Sequence, residues 1–120
     1  MASVRQRYPW PKEARLRRCS EFSRVYREGA RVGGSHMMVI CLKAPGMNGP
    51  KVGLAVPKSL GKSVVRNRVR RRLREAARLN LGLLEPELAV VIQARKTALE
   101  APFEDLKKEV EKLFRRCGRL

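Results

Sequence analysis

Between residues 62 and 78 the chain reads Lys-Ser-Val-Val-Arg-Asn-Arg-Val-Arg-Arg-Arg-Leu-Arg-Glu-Ala-Ala-Arg, eight basic side chains against the single acid Glu75. So charged a stretch cannot be core, yet it is patterned. Val65, Val69, Leu73 and Ala76 fall four, four and three residues apart, which lays one apolar stripe along a helix. At about 100° per residue, Asn67, Arg70, Arg71, Arg74 and Arg78 gather on the far side. Arg72 falls beside the stripe, where its long stem can snorkel past the edge of the core. Whatever fold the chain adopts must offer an apolar surface to this helix while leaving its arginines in water. A guanidinium is planar, always charged and able to grip phosphate with two parallel bonds, so the exposed side reads as a surface for a polyanion.

Composition supports that reading. The 120 residues carry a net charge of +17 with 43% apolar residues, enough for one domain with a real core. Such a charge repels itself unless a nucleic acid or an anionic membrane offsets it. No apolar run is long enough for a membrane span. Tyr8-Pro9-Trp10-Pro11 stands where a secretory signal would place its apolar centre, so the expected location is the cytosol. Cys19, Cys41 and Cys117 are odd in number and scattered, and His36 is the only histidine. Four zinc ligands cannot be assembled from that set, and the cysteines read as reduced structural or surface thiols. Two-metal hydrolysis by the protein alone would need clustered carboxylates, yet Asp105 is the only aspartate.

Residues 1–15 are basic and proline-containing and are expected to run extended over the surface; 16–120 read as one domain. Ser20–Gly29 has the marks of a short helix, with Ser20 as N-cap and Gly29 in the left-handed conformation past its end. Leu16, Phe22, Val25 and Tyr26 would line its inner side. Gly33-Gly34-Ser35 is a turn, Met37–Leu42 a strand, and Pro45–Pro50 a loop with hairpin chemistry. Val52–Val56 follows as a strand in which Gly53 marks close backbone approach, and Leu88–Ala94 reads as an interior strand. Pro102 suits the first turn of a last helix bearing Phe103, Leu106, Val110, Leu113 and Phe114 at helical spacing. The order is helix, two or three strands, helix, strand, helix. The fold class is α+β, a single α/β sandwich with about four strands in a mixed sheet and three helices.

Val52-Gly53-Leu54-Ala55-Val56-Pro57-Lys58, then Gly61-Lys62, then Val65-Arg66-Asn67-Arg68-Val69-Arg70-Arg71-x-x-Arg74-Glu75 resembles the central motif of the bacterial ribonuclease P protein subunit family. Leu16-Arg17-x-x-x-x-Phe22-x-x-Val25-Tyr26-x-x-Gly29 resembles that family's first helix, and Ala94-Arg95-Lys96 its strand end. The resemblance implies a left-handed βαβ crossover. It also implies binding to a large catalytic RNA, one protein per RNA, and assistance in removing the 5′ leader of precursor transfer RNA, with magnesium held mainly by the RNA. By the same resemblance Lys58, Lys62, Arg66, Asn67, Arg68, Arg70, Arg71 and Arg74 would meet RNA, and Phe22, Tyr26 and Lys58 would face the leader. Some relatives carry an aromatic near the position of Ile40; here apolar or backbone contacts would take its place.

Plainer readings stand beside these. Phe22 and Tyr26, four apart, are core residues on periodicity alone. Lys58 is an ordinary loop lysine on the same footing, Asn67 a solvated amide, Trp10 a cover for a sheet edge and His36 incidental. A ribosomal or general RNA chaperone protein has the same composition, and the order of the motifs is what argues against it. A DNA-binding helix-turn-helix fits poorly, because strands flank the basic helix.

Overall fold

A computed structural model describes residues 15–16, 18–46 and 49–119. Along these residues run α1 (Cys19–Glu28), β1 (Ala30–Gly33), β2 (Met37–Lys43), β3 (Lys51–Ala55), α2 (Ser63–Asn80), β4 (Leu88–Ala94) and α3 (Phe103–Cys117). The strands form one mixed sheet in the order β1-β2-β4-β3. β4, apolar on both faces, takes an interior place, antiparallel to β2 and parallel to β3. The β3–α2–β4 unit is therefore a crossover between adjacent parallel strands.

That order corrects the hairpin expected at 45–50. β2 and β3 are consecutive in the chain but not neighbours in the sheet, because β4 lies between them. The hairpin joins β1 to β2 instead, with Gly33 opposite Met38 and the Gly34 N–H donating to the Met37 carbonyl at 2.9 Å. Glu109 of α3 secures this turn by accepting from the backbone N–H groups of His36 and Met37 at 2.8 and 3.0 Å.

The sheet is covered unequally. α2 and α3 pack side by side over one face, burying Val39, Val52, Val90 and Ile92 against Val69, Leu73, Leu106, Val110 and Phe114. On the other face, among the described residues, Val25 of α1 and Leu16 just before it cover Ile40, Ala89 and Val91, and Phe22 and Tyr26 are partly buried there. The stripe of α2 is buried from Val69 onward through Leu73, Ala76 and Ala77. Val65 departs from the expectation at 38% exposed; it lies over Gly61, where a Cβ would sit 3.4 Å from its Cγ1.

Helix ends differ from the sequence reading in instructive ways. α1 begins one residue before Ser20, with Arg18 as N-cap and the Glu21 carboxylate accepting from the Arg18 N–H at 3.0 Å. Gly29 has φ −81° rather than a left-handed value, since the chain passes straight into β1. Its need for glycine is steric: a Cβ there would lie 2.6 Å from the Val25 carbonyl oxygen and 2.9 Å from that of Cys41. Pro102 is the N-cap of α3 rather than its first helical residue. Glu104 and Asp105 in the first turn and Arg115 and Arg116 in the last follow the helix dipole as expected.

The cysteines require a correction. Cys41 of β2 and Cys117 of α3 form a disulfide with their Cα atoms 6.2 Å apart, while Cys19 is free and exposed. Their positions in sequence gave no paired spacing; the packing of α3 over β2 brings them together. No helix among the described residues is long and apolar enough to cross a membrane. Of the segment 1–15 expected to run extended, residues 1–14, Trp10 included, lie outside the described residues; Arg15 bridges to Val52 and the Leu16 N–H donates to the Val52 carbonyl at 3.1 Å.

Candidate nucleic-acid interface

The basic surface is built around the start of α2. A 3-10 turn over Lys58–Leu60 leads to Gly61, whose φ of +141° few other residues adopt, and Lys62 serves as N-cap. Arg66 folds back so that its Nε donates to the Gly61 carbonyl at 3.1 Å, tying the helix to the turn that precedes it. One turn along, the Asn67 side-chain oxygen accepts from Arg70 Nη1 at 2.7 Å. Asn67 thus holds an arginine in place, and the reading of it as a merely solvated amide does not describe it.

The sheet order makes β3 an edge strand, and α2 turns part of its array over that edge. Arg70 and Arg74 line a groove of about 170 Å³ with Arg15, Phe22, Gly53 and Leu54. Phe22 packs against Gly53, where a Cβ would come within 2.5 Å of the ring carbon Cζ. Gly53 therefore lets the ring sink onto the strand, and its predicted close approach is to a side chain of the same protein. The remaining cations fan outward. Arg68 and Arg71 are exposed and make no hydrogen bond or ion pair with a described residue. Lys58 and Lys62 are exposed beside them at the turn.

Two further arginines of the segment are held by partners within the protein. Arg78 grips Glu75 through two bonds, Nε to Oε1 at 3.0 Å and Nη2 to Oε2 at 2.5 Å. That hydrogen bonding holds the Glu75 carboxyl below its ordinary range and raises the Arg78 guanidinium above its own. Arg72 donates through Nη2 to the Ala101 carbonyl. Its place beside the stripe is explained by this partner on the segment leading into α3, rather than by a snorkelling stem alone.

Tyr26 sits further along the same face. Its hydroxyl donates to the Gln93 side-chain oxygen at 3.0 Å, and Arg31 Nη2 donates to its backbone carbonyl at 3.3 Å. Burial pushes the phenol upward in pKa, with the positive charge of Arg31 opposing the shift. Met38, Gln93 and Ala55 align in one cross-strand row and remain only partly buried, forming the floor beside Tyr26. Ile40 is completely buried under α1, and Met38, two residues earlier on the same face, is the residue left partly exposed. Lys58 lies three residues beyond Ala55, past this end of β3.

Of the residues selected from sequence, Phe22, Arg70 and Arg74 share one groove, Tyr26 borders the floor, and Lys58, Lys62, Arg66, Asn67, Arg68 and Arg71 lie on the turn before α2 and along its first half. Arg15, Arg31, Met38 and Gln93 were not selected. Their neighbours in space come from strand pairing, and only the period-2 alternation of β2 and β4 hinted that Met38 and Gln93 share a side.

Comparison with known proteins places this geometry in context. The family model described as Ribonuclease P matches residues 10–118. The ribonuclease P protein component of Symbiobacterium thermophilum is 41% identical over 109 residues, covering 91% of this chain and 95% of the relative. That of Bacillus velezensis is 36% identical over 107 residues, with 89% and 91% coverage. The solved ribonuclease P protein from Thermotoga maritima superposes with a TM-score of 0.76 at 26% identity, over 85% of this chain and 96% of that one.

Proposed function

The chain belongs to the ribonuclease P protein family, and from that membership we propose how its surface serves the enzyme. It is the protein component of a ribonucleoprotein endoribonuclease of transfer RNA processing, and its partner is an RNA. In our reading the start of α2 is the anchor for the catalytic RNA. Lys62, Arg66, Arg68 and Arg71 meet phosphates, with Arg66 and Asn67 fixing the local geometry. The groove of Arg70, Arg74 and Phe22 and the floor beside Tyr26 take the single-stranded 5′ leader of precursor transfer RNA, where bases stack on aromatic faces and arginines follow the backbone. Lys58 closes the end of that path.

The protein's contribution is electrostatic and positional. Two RNAs brought together repel one another, and a ridge of fixed cations between them lowers that cost while holding the leader in register. The magnesium ions of the reaction have no cluster of three acidic, histidine or cysteine side chains to receive them among the described residues. In this reading, which follows from family membership, the RNA subunit holds most of them. One protein per RNA, acting in the cytosol, completes the reading.

What carries it is the pair of exposed guanidiniums of Arg68 and Arg71, which bond to no described residue, on the helix whose Arg70 and Arg74 line the groove with Phe22. Arg68→Ala with Arg71→Ala is expected to leave the thermal midpoint within experimental error. Binding to ribonuclease P RNA should weaken, each charge-assisted bond removed being worth about 1.5–3 kcal/mol. Unchanged affinity in a filter-binding titration at moderate salt rejects the anchor. Adding the wild-type protein to ribonuclease P RNA and precursor transfer RNA at low magnesium should stimulate leader removal; a general RNA chaperone without a role in cleavage gives no stimulation.

A further inference from the structure

The outward side of α3 bears a second row of cations, distinct from the anchor and the groove. Lys108, Lys112 and Arg115 of α3, and Arg119 two residues past its end, recur at spacings of four, three and four. At about 100° per residue they fall within one narrow arc, opposite the seam of Leu106, Val110, Leu113, Phe114 and Cys117 that is buried against the sheet. All four line one shallow groove of about 480 Å³, which Arg116 also borders. Lys108 and Lys112 also line an adjoining depression of about 460 Å³ beneath the β1–β2 turn at Gly34 and His36. The two hollows thus flank Lys108 and Lys112 on α3.

Few acids neutralise this row. Glu111 pairs with Arg115 at 3.2 Å, and Glu109 is committed to the backbone N–H groups of His36 and Met37. Asp105 borders only the far end. A dipole role accounts for Arg115 and Arg116 in the last turn, but that effect fades within one turn and leaves Lys108 and Lys112 without a structural task. The place of the row matters as much as its charge. α2 reaches over the β3 edge of the sheet, whereas α3 packs over β1 and β2 at the opposite edge.

We propose that the outer face of α3 is a second phosphate-binding surface, occupied by an RNA segment other than the one gripped at α2. The inference rests on the reading of this chain as an RNA-binding subunit. The protein then acts as a two-sided clip, holding RNA at both edges of its sheet.

The test uses the full-length chain with Lys108→Gln, Lys112→Gln and Arg119→Gln, leaving the Arg115–Glu111 pair intact; glutamine keeps helix propensity close to that of lysine and arginine. Binding to ribonuclease P RNA is measured from low to high salt beside the Arg68→Ala/Arg71→Ala variant. The expected result is an unaltered circular dichroism spectrum and a log–log salt slope shallower by about 2, at roughly 0.7–0.9 for each phosphate no longer neutralised. The combined variant should show both decrements. If the α3 variant keeps the wild-type slope and affinity while the α2 variant loses both, the α3 proposal is overturned and the α2 anchor stands. If neither variant changes binding, both readings fall. Loss of binding to phosphatidylserine vesicles with RNA affinity retained would assign the face to a membrane and overturn the proposal equally. Amine acetylation of the wild-type complex gives an answer free of folding effects. Protection of Lys108 and Lys112 by RNA is expected, and full reactivity of both overturns the assignment.

Discussion

At the residue scale, Gly53 and Phe22 show how one missing side chain shapes the groove. The ring occupies the space in which a Cβ at Gly53 would stand, 2.5 Å from Cζ. Gly53→Ala must lift the ring, and overpacking of that kind costs about 1–3 kcal/mol. A urea titration should register the loss, and affinity for a precursor with a leader should fall more than affinity for mature transfer RNA. Equal stability of the variant and wild type would mean that the ring yields freely. Glu75 and Arg78 offer a test in pH. The Glu75 carboxyl is depressed by its bonds to Arg78, so the pair stabilises the fold above the ordinary carboxylate range. That contribution disappears as pH falls through the depressed value. The side chains are partly exposed, and the gain is on the order of 0.3–0.5 kcal/mol. Glu75→Gln should therefore lower the urea midpoint slightly at about pH 7, and the gap should close only as pH falls through the depressed Glu75 value, below which both carry a neutral side chain. A gap that persists into acid would point to a packing effect instead.

At the element scale, α2 was legible because its two requirements act locally. A buried seam and a charged back impose a 3.6-residue period on the sequence itself, and the seam Val69–Leu73–Ala76 is where that period placed it. The same logic overreached at Val65, since periodicity cannot tell where a helix outruns the surface beneath it. Helix ends were harder still. Gly29 ends α1 as expected, but for steric clearance from two carbonyls and not for a left-handed turn; those carbonyls belong to Val25 and Cys41, and the second reaches the site only through strand pairing. The load on α2 can be measured through Leu73, which is fully buried. Leu73→Ala should cost about 2–5 kcal/mol. Added RNA should raise its thermal midpoint if the folded variant still presents the array, because a ligand that binds only the folded state stabilises it. No midpoint shift with saturating RNA would mean that the guanidiniums depend on that leucine for their positions.

At the scale of the whole molecule, α3 is fastened to the sheet both by its apolar seam and by the Cys41–Cys117 bridge, which spans 76 residues of sequence. Closing so long a loop restricts the unfolded chain, and such bridges contribute about 2–4 kcal/mol. Under oxidising conditions Cys117→Ser should lose that amount in a urea titration, and dithiothreitol should bring wild type down to the same midpoint. A wild-type midpoint indifferent to reductant would show that the bridge does not form. The distribution of charge also belongs to this scale. With +17 on 120 residues and cations turned outward at both edges of one sheet, the fold keeps like charges apart that the sequence brings close together.

Sequence alone determined the presence of α2 and α3, the span of β4, most of the seam on which the helices dock, and the family whose motif runs from Val52 to Glu75. Each of these is written in short-range patterns of residue type. Tertiary structure decided the insertion of β4 between β2 and β3, the groove that joins Arg70 and Arg74 to Phe22, the floor of Met38 and Gln93, and the partner of each bridged cysteine. These depend on which strand pairs with which, and pairing is settled by how helices returning across the sheet bury its two faces. No local period along the chain records that outcome.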